Sequence, residues 1–172
     1  LKREGPLPIA RALRLGDQLL AALEHGHAQG FLHMDIKPTN VLVQSADGKD
    51  KMKLADYALA RTYQAAPFSG LSVTTAMLEL ASFMPPELLF SYQNVTPLAD
   101  QYSAAAILYH LLTAAPLLEM PRERRRRYTS LLRRACVPIR ERRPEVPEGL
   151  AKVLHKALSR TPSYRFGSIT EF

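Results

Sequence analysis

The stretch from Thr96 to Thr113 constrains the fold more than any other part of this 172-residue chain. Thr96 is a good N-cap and Pro97 a good first helical residue. The body that follows, Ala104-Ala105-Ala106-Ile107-Leu108-Tyr109-His110-Leu111-Leu112, is apolar on nearly every side. A helix of that kind cannot lie on a surface. It predicts a buried central helix over 97–113, with the other elements packed around it.

Those other elements are mostly helical. Ile9, Leu13, Leu20, Leu23 and His27 recur at helical spacing, so 8–28 reads as an amphipathic helix with Gly30 as its stop. Val41-Leu42-Val43 and Met52-Lys53-Leu54 read as short strands, and the Asp47-Gly48 pair between them signals a hairpin. Residues 57–84 lack periodicity and read as a long loop. A short helix is expected over 85–90. A basic helix is expected over 121–135, with Tyr128, Leu131 and Leu132 on its apolar side. A Pro- and Arg-rich connection over 137–147 follows. Gly149 to Leu158 is amphipathic through Leu150, Val153, Leu154, Ala157 and Leu158, and Ser168 to Phe172 begins a further helix. The expected class is α+β, mostly α, with one small β-hairpin.

Chemistry concentrates in Phe31-Leu32-His33-Met34-Asp35-Ile36-Lys37-Pro38-Thr39-Asn40. Asp35, Lys37 and Asn40 place a carboxylate, an ammonium and an amide within six positions. Pro38 cannot continue a helix and biases Lys37 toward extended backbone. The three groups are therefore expected on a rigid loop. The hairpin is expected to bring Asp56 back beside them. A base, a cation and oxygen donors for a metal are a set that phosphoryl transfer can use.

At these residues the chain resembles the protein kinase family. The loop is similar to H-R-D-L-K-P-x-N, with Met34 for the Arg and Ile36 for the Leu. Lys53-Leu54-Ala55-Asp56-Tyr57-Ala58-Leu59-Ala60-Arg61 resembles the strand and D-F-G-L-A-R motif. Phe83-Met84-Pro85-Pro86-Glu87 resembles Y-M-A-P-E, and Asp100-Gln101-Tyr102-Ser103 resembles the D-x-x-S that opens the family's central helix. Arg165, within Thr161 to Phe166, matches a late Arg that pairs with the Glu of A-P-E. The resemblance covers essentially the whole chain and looks most like bacterial serine/threonine kinases.

The resemblance implies a function and roles. Residues 1–172 would be the C-terminal lobe of a kinase catalytic domain, with the N-terminal lobe, its Gly-rich loop and its V-A-I-K strand absent. The activity implied is ATP-dependent transfer to a Ser or Thr hydroxyl of a protein substrate. The chain by itself is not expected to turn over ATP at a useful rate. Asp35 would be the base and Lys37 would neutralise the transferring group. Asn40, Leu42 and Asp56 would form the nucleotide site, with Asn40 and Asp56 on Mg²⁺. His33, Glu87, Asp100 and Arg165 would be structural. Asp100 would bind the backbone of the catalytic loop, and Glu87 and Arg165 would form a largely buried ion pair.

Departures from the family pattern support a second reading, a degenerate pseudokinase acting as a nucleotide- or protein-binding scaffold. Ala58 stands where the family has Gly. In register with Glu87, the family's G-T-P-x-Y becomes Glu79-Leu80-Ala81-Ser82-Phe83. Leu80 cannot supply the Thr hydroxyl that bonds the catalytic Asp and Lys. Separately, Met34 replaces the Arg that in many kinases pairs with a phosphorylated activation loop, so regulation by that pairing is not expected.

The remaining features narrow the classes. Net charge is +7, with much of the excess in Arg122 to Arg127 and Arg133 to Arg143. Such a run is a nucleic-acid or acidic-peptide patch, or else a solvated helix face. No nucleic-acid partner is expected. One cysteine, Cys136, permits no internal disulfide, so a reducing, cytoplasmic compartment is expected. No apolar run is long enough to cross a membrane. His25, His27 and His33 could suggest zinc, or be helix-end and core histidines. Ser72, Thr74 and Thr75 are phosphorylation candidates or ordinary loop residues.

Overall fold

The computed structural model describes residues 5–47, 49–56, 82–89, 95–118 and 136–172. The basic helix expected over 121–135 lies outside them, as do Ala58, Glu79, Leu80, Ser72, Thr74 and Thr75.

Helix α1 spans Ile9–Ala28. Its buried face is Ala12, Leu15, Gly16, Leu19, Leu23 and Gly26. That stripe is rotated from the expected one. Leu13 is exposed, while Ile9 and Leu20 pack only at the margin of the core. The small residues decide the rotation, because they let α1 approach the central helix closely. A Cβ on Gly16 would stand 3.3 Å from Leu108 Cδ1. Gly30 follows at φ +76°, a left-handed conformation that glycine adopts freely.

A two-stranded antiparallel sheet comes next, β1 (Val41–Ala46) and β2 (Lys49–Leu54), in the register Val41↔Leu54 to Ala46↔Lys49. Both strands are longer than the apolar runs suggested. The hairpin docks on α1 through polar groups. Arg11 donates from Nε to Asp50 Oδ2 at 2.7 Å and from Nη2 to Oδ1 at 3.1 Å. Gln18 donates to the carbonyl of Asp50 and accepts from the amide of Met52, so it caps the free edge of β2.

The central helix, α2, is Pro97–Thr113, as its sequence predicts. It is buried from Ala99 to Tyr109 and again at Leu111 and Leu112. Leu15, Leu19 and Leu23 of α1 belong to the same core. Burying each such side chain is worth about 1.5–3 kcal/mol. Thr96 occupies the N-cap position, but its side chain makes no cap bond. The helix ends without a glycine. Ala114 takes φ 50° and its amide reaches the carbonyl of His110. A short 3₁₀ turn, Pro86–Leu89, stands where a helix over 85–90 was expected.

The stretch expected as a plain connection contains a one-turn helix, α3 (Ile139–Arg142), with Ile139 fully buried. Arg143 is not merely part of a basic run. Its Nη1 donates to the carbonyls of Leu7 at 2.6 Å and Leu112 at 2.8 Å, pinning the start of the chain to the end of α2. Helix α4 (Glu148–Ala157) buries Ala151, Leu154 and Ala157, whereas Val153 is exposed. The residues from Ser168 onward form a turn, not a helix. There the Phe172 ring stacks on Phe166 with centroids 5.6 Å apart.

Among the described residues, two groups make stability acid-sensitive. The Arg11 hydrogen bond, followed by that of Ser45, holds the Asp50 carboxyl down at about 2, against an ordinary 3.8. Burial lowers His155, whose Nε2 accepts from the amide of Ile139 at 3.1 Å. Both values are depressed in the fold, so both contributions are complete above the unfolded values and fade as pH falls. The His155 contribution begins to fade below its ordinary 6.5. The Asp50 contribution fades between about 4 and 2. Denaturant midpoints measured against pH should show two acid losses. Asp50→Asn should flatten the lower one and His155→Gln the upper.

Candidate active site

The loop between α1 and β1 is built by a single buried carboxylate. Asp100 lies in the first turn of α2 and is fully buried. Its Oδ2 accepts from the amide of His33 and its Oδ1 from the amide of Met34, both at 2.8 Å. His27 Nε2 stands 2.8 Å from Oδ2 and completes the cluster. These bonds hold Met34 at φ 62°, a left-handed backbone unfavourable for a residue with a Cβ. Asp100→Asn keeps the shape but turns an amide donor toward donors. A buried charge-assisted bond lost this way costs about 1.5–3 kcal/mol. Denaturant unfolding should show that loss, with loop amides 33–35 exchanging faster.

His33 ties the loop to the end of the hairpin. Its Nδ1 accepts from the amide of Asp35 at 3.3 Å, which leaves Nε2 to donate to the carbonyl of Ala55 at 2.8 Å. The amide of Ala55 in turn donates to the carbonyl of Asn40 at 2.8 Å. Both polar groups of Ala55 are thus held by the loop, and the next residue, Asp56, is fixed beside it. Asp56 has φ 67° and is exposed. Aspartate tolerates this backbone better than most residues.

Asp35, Lys37 and Asn40 converge. Lys37 Nζ is 2.6 Å from Asp35 Oδ2, and each side chain is about one-quarter exposed. Asn40 is buried and donates from Nδ2 to the Asp35 carbonyl at 2.9 Å and to Oδ2 at 3.0 Å. One carboxylate oxygen of Asp35 is therefore gripped by a cation and an amide. Pro38–Asn40 forms a 3₁₀ turn, and Lys37 before it is extended, at φ −151°. That turn returns Asn40 to Asp35. The Asn40 Oδ1, which accepts a long hydrogen bond from the Thr39 hydroxyl at 3.3 Å, and the exposed Asp56 carboxylate are the oxygens this frame can turn to a metal. Two hard oxygens fit Mg²⁺, which keeps several waters and takes its other ligands from phosphates. Leu42, on β1, is exposed next to this frame.

Glu87 and Arg165 meet at the start of α2, where Arg165 Nη1 also donates to the carbonyl of Leu98. They face each other in a two-pronged ion pair, Nη1 to Oε1 at 2.7 Å and Nη2 to Oε2 at 2.8 Å. Of the three histidines close in sequence, His27 and His33 are engaged as described, and no group of three or more His, Cys, Asp or Glu side chains placed to hold a metal occurs among the described residues. No described helix is long and apolar enough to cross a membrane.

Sequence reasoning did not single out Gln101, which is fully buried. Its amide donates to the carbonyls of Phe166 and Ser168 and accepts from the amide of Phe166. The signal was a polar residue inside an otherwise apolar helix. Cys136 is a structural thiol. Burial pushes it up to about 12, so it is a poor nucleophile.

Comparison with known proteins converges on one family. The model for "protein kinase domain" matches residues 1–171. The chain is 36% identical over 168 residues to serine/threonine-protein kinase PknD of Mycobacterium tuberculosis, covering 98% of this chain and 24% of that protein. It is 30% identical over 172 residues to PknJ of the same organism, covering 99% of this chain and 28% of that protein. The chain thus spans about a quarter of the length of the curated relatives it matches. Among solved structures, the Mycobacterium tuberculosis PknI kinase domain is 28% identical with a TM-score of 0.67, covering 98% of this chain and 54% of that one. Rad53 in complex with AMP-PNP, at 19% identity and a TM-score of 0.73, is similar in fold alone.

Proposed function

The chain belongs to the protein kinase domain family, and on that premise we propose that it is the C-terminal lobe of an ATP-dependent protein serine/threonine kinase. The observation that carries the reading is the grip on Asp35. Lys37 and Asn40 hold one of its oxygens, while the Asn40 Oδ1, bonded only at 3.3 Å by the Thr39 hydroxyl, and the exposed Asp56 carboxylate could turn to a metal. Phosphoryl transfer needs little covalent chemistry from a protein and much positioning, which this frame can supply.

In this reading Asp35 orients the substrate hydroxyl and accepts its proton. Lys37 moves from the carboxylate toward the transferring group and offsets its charge. Asn40 and Asp56 would hold Mg²⁺, which would offset the charge of the nucleotide phosphates. Leu42 lies against the nucleotide. His33, Asp100, Glu87 and Arg165 act as supports. A second lobe would supply the phosphate lid and a further phosphate-binding lysine; the coverage of about half of the PknI kinase domain supports that division. The single cysteine supports a reducing, cytoplasmic setting.

A second reading, a scaffold with faded transfer activity, rests on Ala58, Glu79 and Leu80. The two meet in one experiment on the whole protein that carries this chain. Leu80 lacks the hydroxyl that would fix Asp35 and Lys37 in attack geometry. Losing one charge-assisted bond is worth about 1.5–3 kcal/mol, and so about 10- to 150-fold in rate. Single-turnover phosphorylation should therefore accelerate in Leu80→Thr. An unchanged rate would mean another register for that segment, and absence of Mg²⁺–ATP binding in both proteins would favour the scaffold.

A further inference from the structure

The outer face of the hairpin carries a charge pattern that phosphoryl transfer does not use. Side chains alternate between the faces of a strand, so Lys49, Lys51 and Lys53 share one face. Ala46, Gln44 and Leu42 stand directly opposite them, and all six residues are exposed. The other face carries Val41, Met52 and Leu54 against the core. Asp50 belongs to that inner face too, bound by Arg11. The three ammonium groups thus form a row with steps of about 7 Å. No carboxylate stands opposite any of them. Among the described residues none of the three makes an ion pair.

A lysine on an edge strand commonly blocks unwanted pairing. Three in one row, with no acid between them, also repel one another. Solubility does not require that arrangement, because mixed signs serve it equally well. The row is instead complementary to an anion of the same repeat.

We infer that this face docks an acidic, extended segment of a protein partner, with carboxylates at alternate residues. An extended chain rises by the same step as β2, so Asp or Glu at positions i, i+2 and i+4 meets all three lysines in register. The face carries no aromatic ring on which a base could stack, which favours a peptide over single-stranded nucleic acid. Leu42, opposite Lys53, is the one residue of this face that the proposed function also uses; the peptide contact itself needs no nucleotide, so its failure would leave the catalytic reading untouched.

The test uses the whole protein and a fluorescent Glu-Thr-Glu-Thr-Glu peptide, followed by anisotropy at low and high salt. Binding should be saturable and weaken with salt. Lys49→Gln, Lys51→Gln and Lys53→Gln combined should weaken it about tenfold, the sum of three exposed pairs. The corresponding triple Arg variant should bind as the parent does. Carbodiimide coupling of the parent to the peptide should map by mass spectrometry to these three lysines. Equal binding by the triple Gln variant, or coupling at other lysines, would overturn the inference. Tighter binding of an oligothymidine than of the peptide would also overturn it, in favour of nucleic acid. Should the triple Gln variant melt early, the Arg variant and the coupling map decide between these outcomes.

Discussion

Glu87→Ala should lower stability by about 3 kcal/mol, at the lower end of the range for breaking a buried ion pair from one side. The reason lies in the asymmetry of the pair. The Arg165 side chain is fully buried, whereas the Glu87 side chain keeps 23% of its surface. Every donor of Arg165 is committed. Nε donates to the carbonyl of Ser159, and Nη1 donates to the carbonyl of Leu98 as well as to Glu87. Nη2 donates to Glu87 and, at 3.5 Å, to the carbonyl of Arg160. The guanidinium also lies 5.1 Å from the centre of the Tyr102 ring. Removing Glu87 leaves this cation buried among neutral carbonyls, and water reaches it only from the side that the carboxylate filled. For a protein of this size the loss corresponds to about 10 °C in melting temperature. Glu87→Gln, which keeps one acceptor oxygen, should lose less. A Glu87→Ala protein melting within about a degree of the parent would show that the pair stabilises nothing.

The sequence and the structure agree most closely where one physical cause dominates. Helix α2 was legible to the residue because a run apolar all round has one stable environment, and Thr96-Pro97 marks its start. The hairpin was legible from Asp47-Gly48, although its strands reach further than the apolar runs. That extension comes from polar docking, Arg11 on Asp50 and Gln18 on the edge of β2. Hydrophobic spacing does not report such bonds. The same limit explains the rotated face of α1. Counting large apolar residues favoured Leu13, but Ala12 and Gly16 allow the close crossing that fixes which side is buried. Val153 in α4 was misplaced for a related reason. The buried side follows Ala151, Leu154 and Ala157, spaced for a helix that packs through small residues.

At the candidate site the residue types were legible in themselves, whereas the Asp100 grip on the loop backbone was implied only by the resemblance. Asp35, Lys37 and Asn40 stand out because a proline-bearing loop gathers three different charges and dipoles. The left-handed backbone at Met34 and Asp56 carries no sequence signal, since neither position is glycine. It exists because Asp100 grips the amides of His33 and Met34, and because His33 and Asn40 grip Ala55. These are long-range bonds made by single atoms, and spacing along a chain does not encode them. Arg143 was hidden among neighbouring arginines for the same reason.

The proposed function places phosphoryl transfer at the frame around Asp35. Asp35→Asn is nearly isosteric and can still accept from Asn40 through its amide oxygen. It removes the basic oxygen and the charge that faces Lys37 at 2.6 Å. Positioned acid–base groups contribute about 10²- to 10⁴-fold, so the variant should transfer slower by that factor. Mg²⁺–ATP should still bind, because Asn40 and Asp56 are unchanged. The decisive measurement is single-turnover transfer from radiolabelled ATP to a protein hydroxyl, made with the whole protein and its Asp35→Asn variant, with nucleotide binding measured alongside. Transfer by the parent, a loss of at least about 10²-fold in the variant, and nucleotide binding retained in both are expected. Equal transfer by the two proteins, or no transfer by a parent that binds Mg²⁺–ATP, would contradict the proposed function.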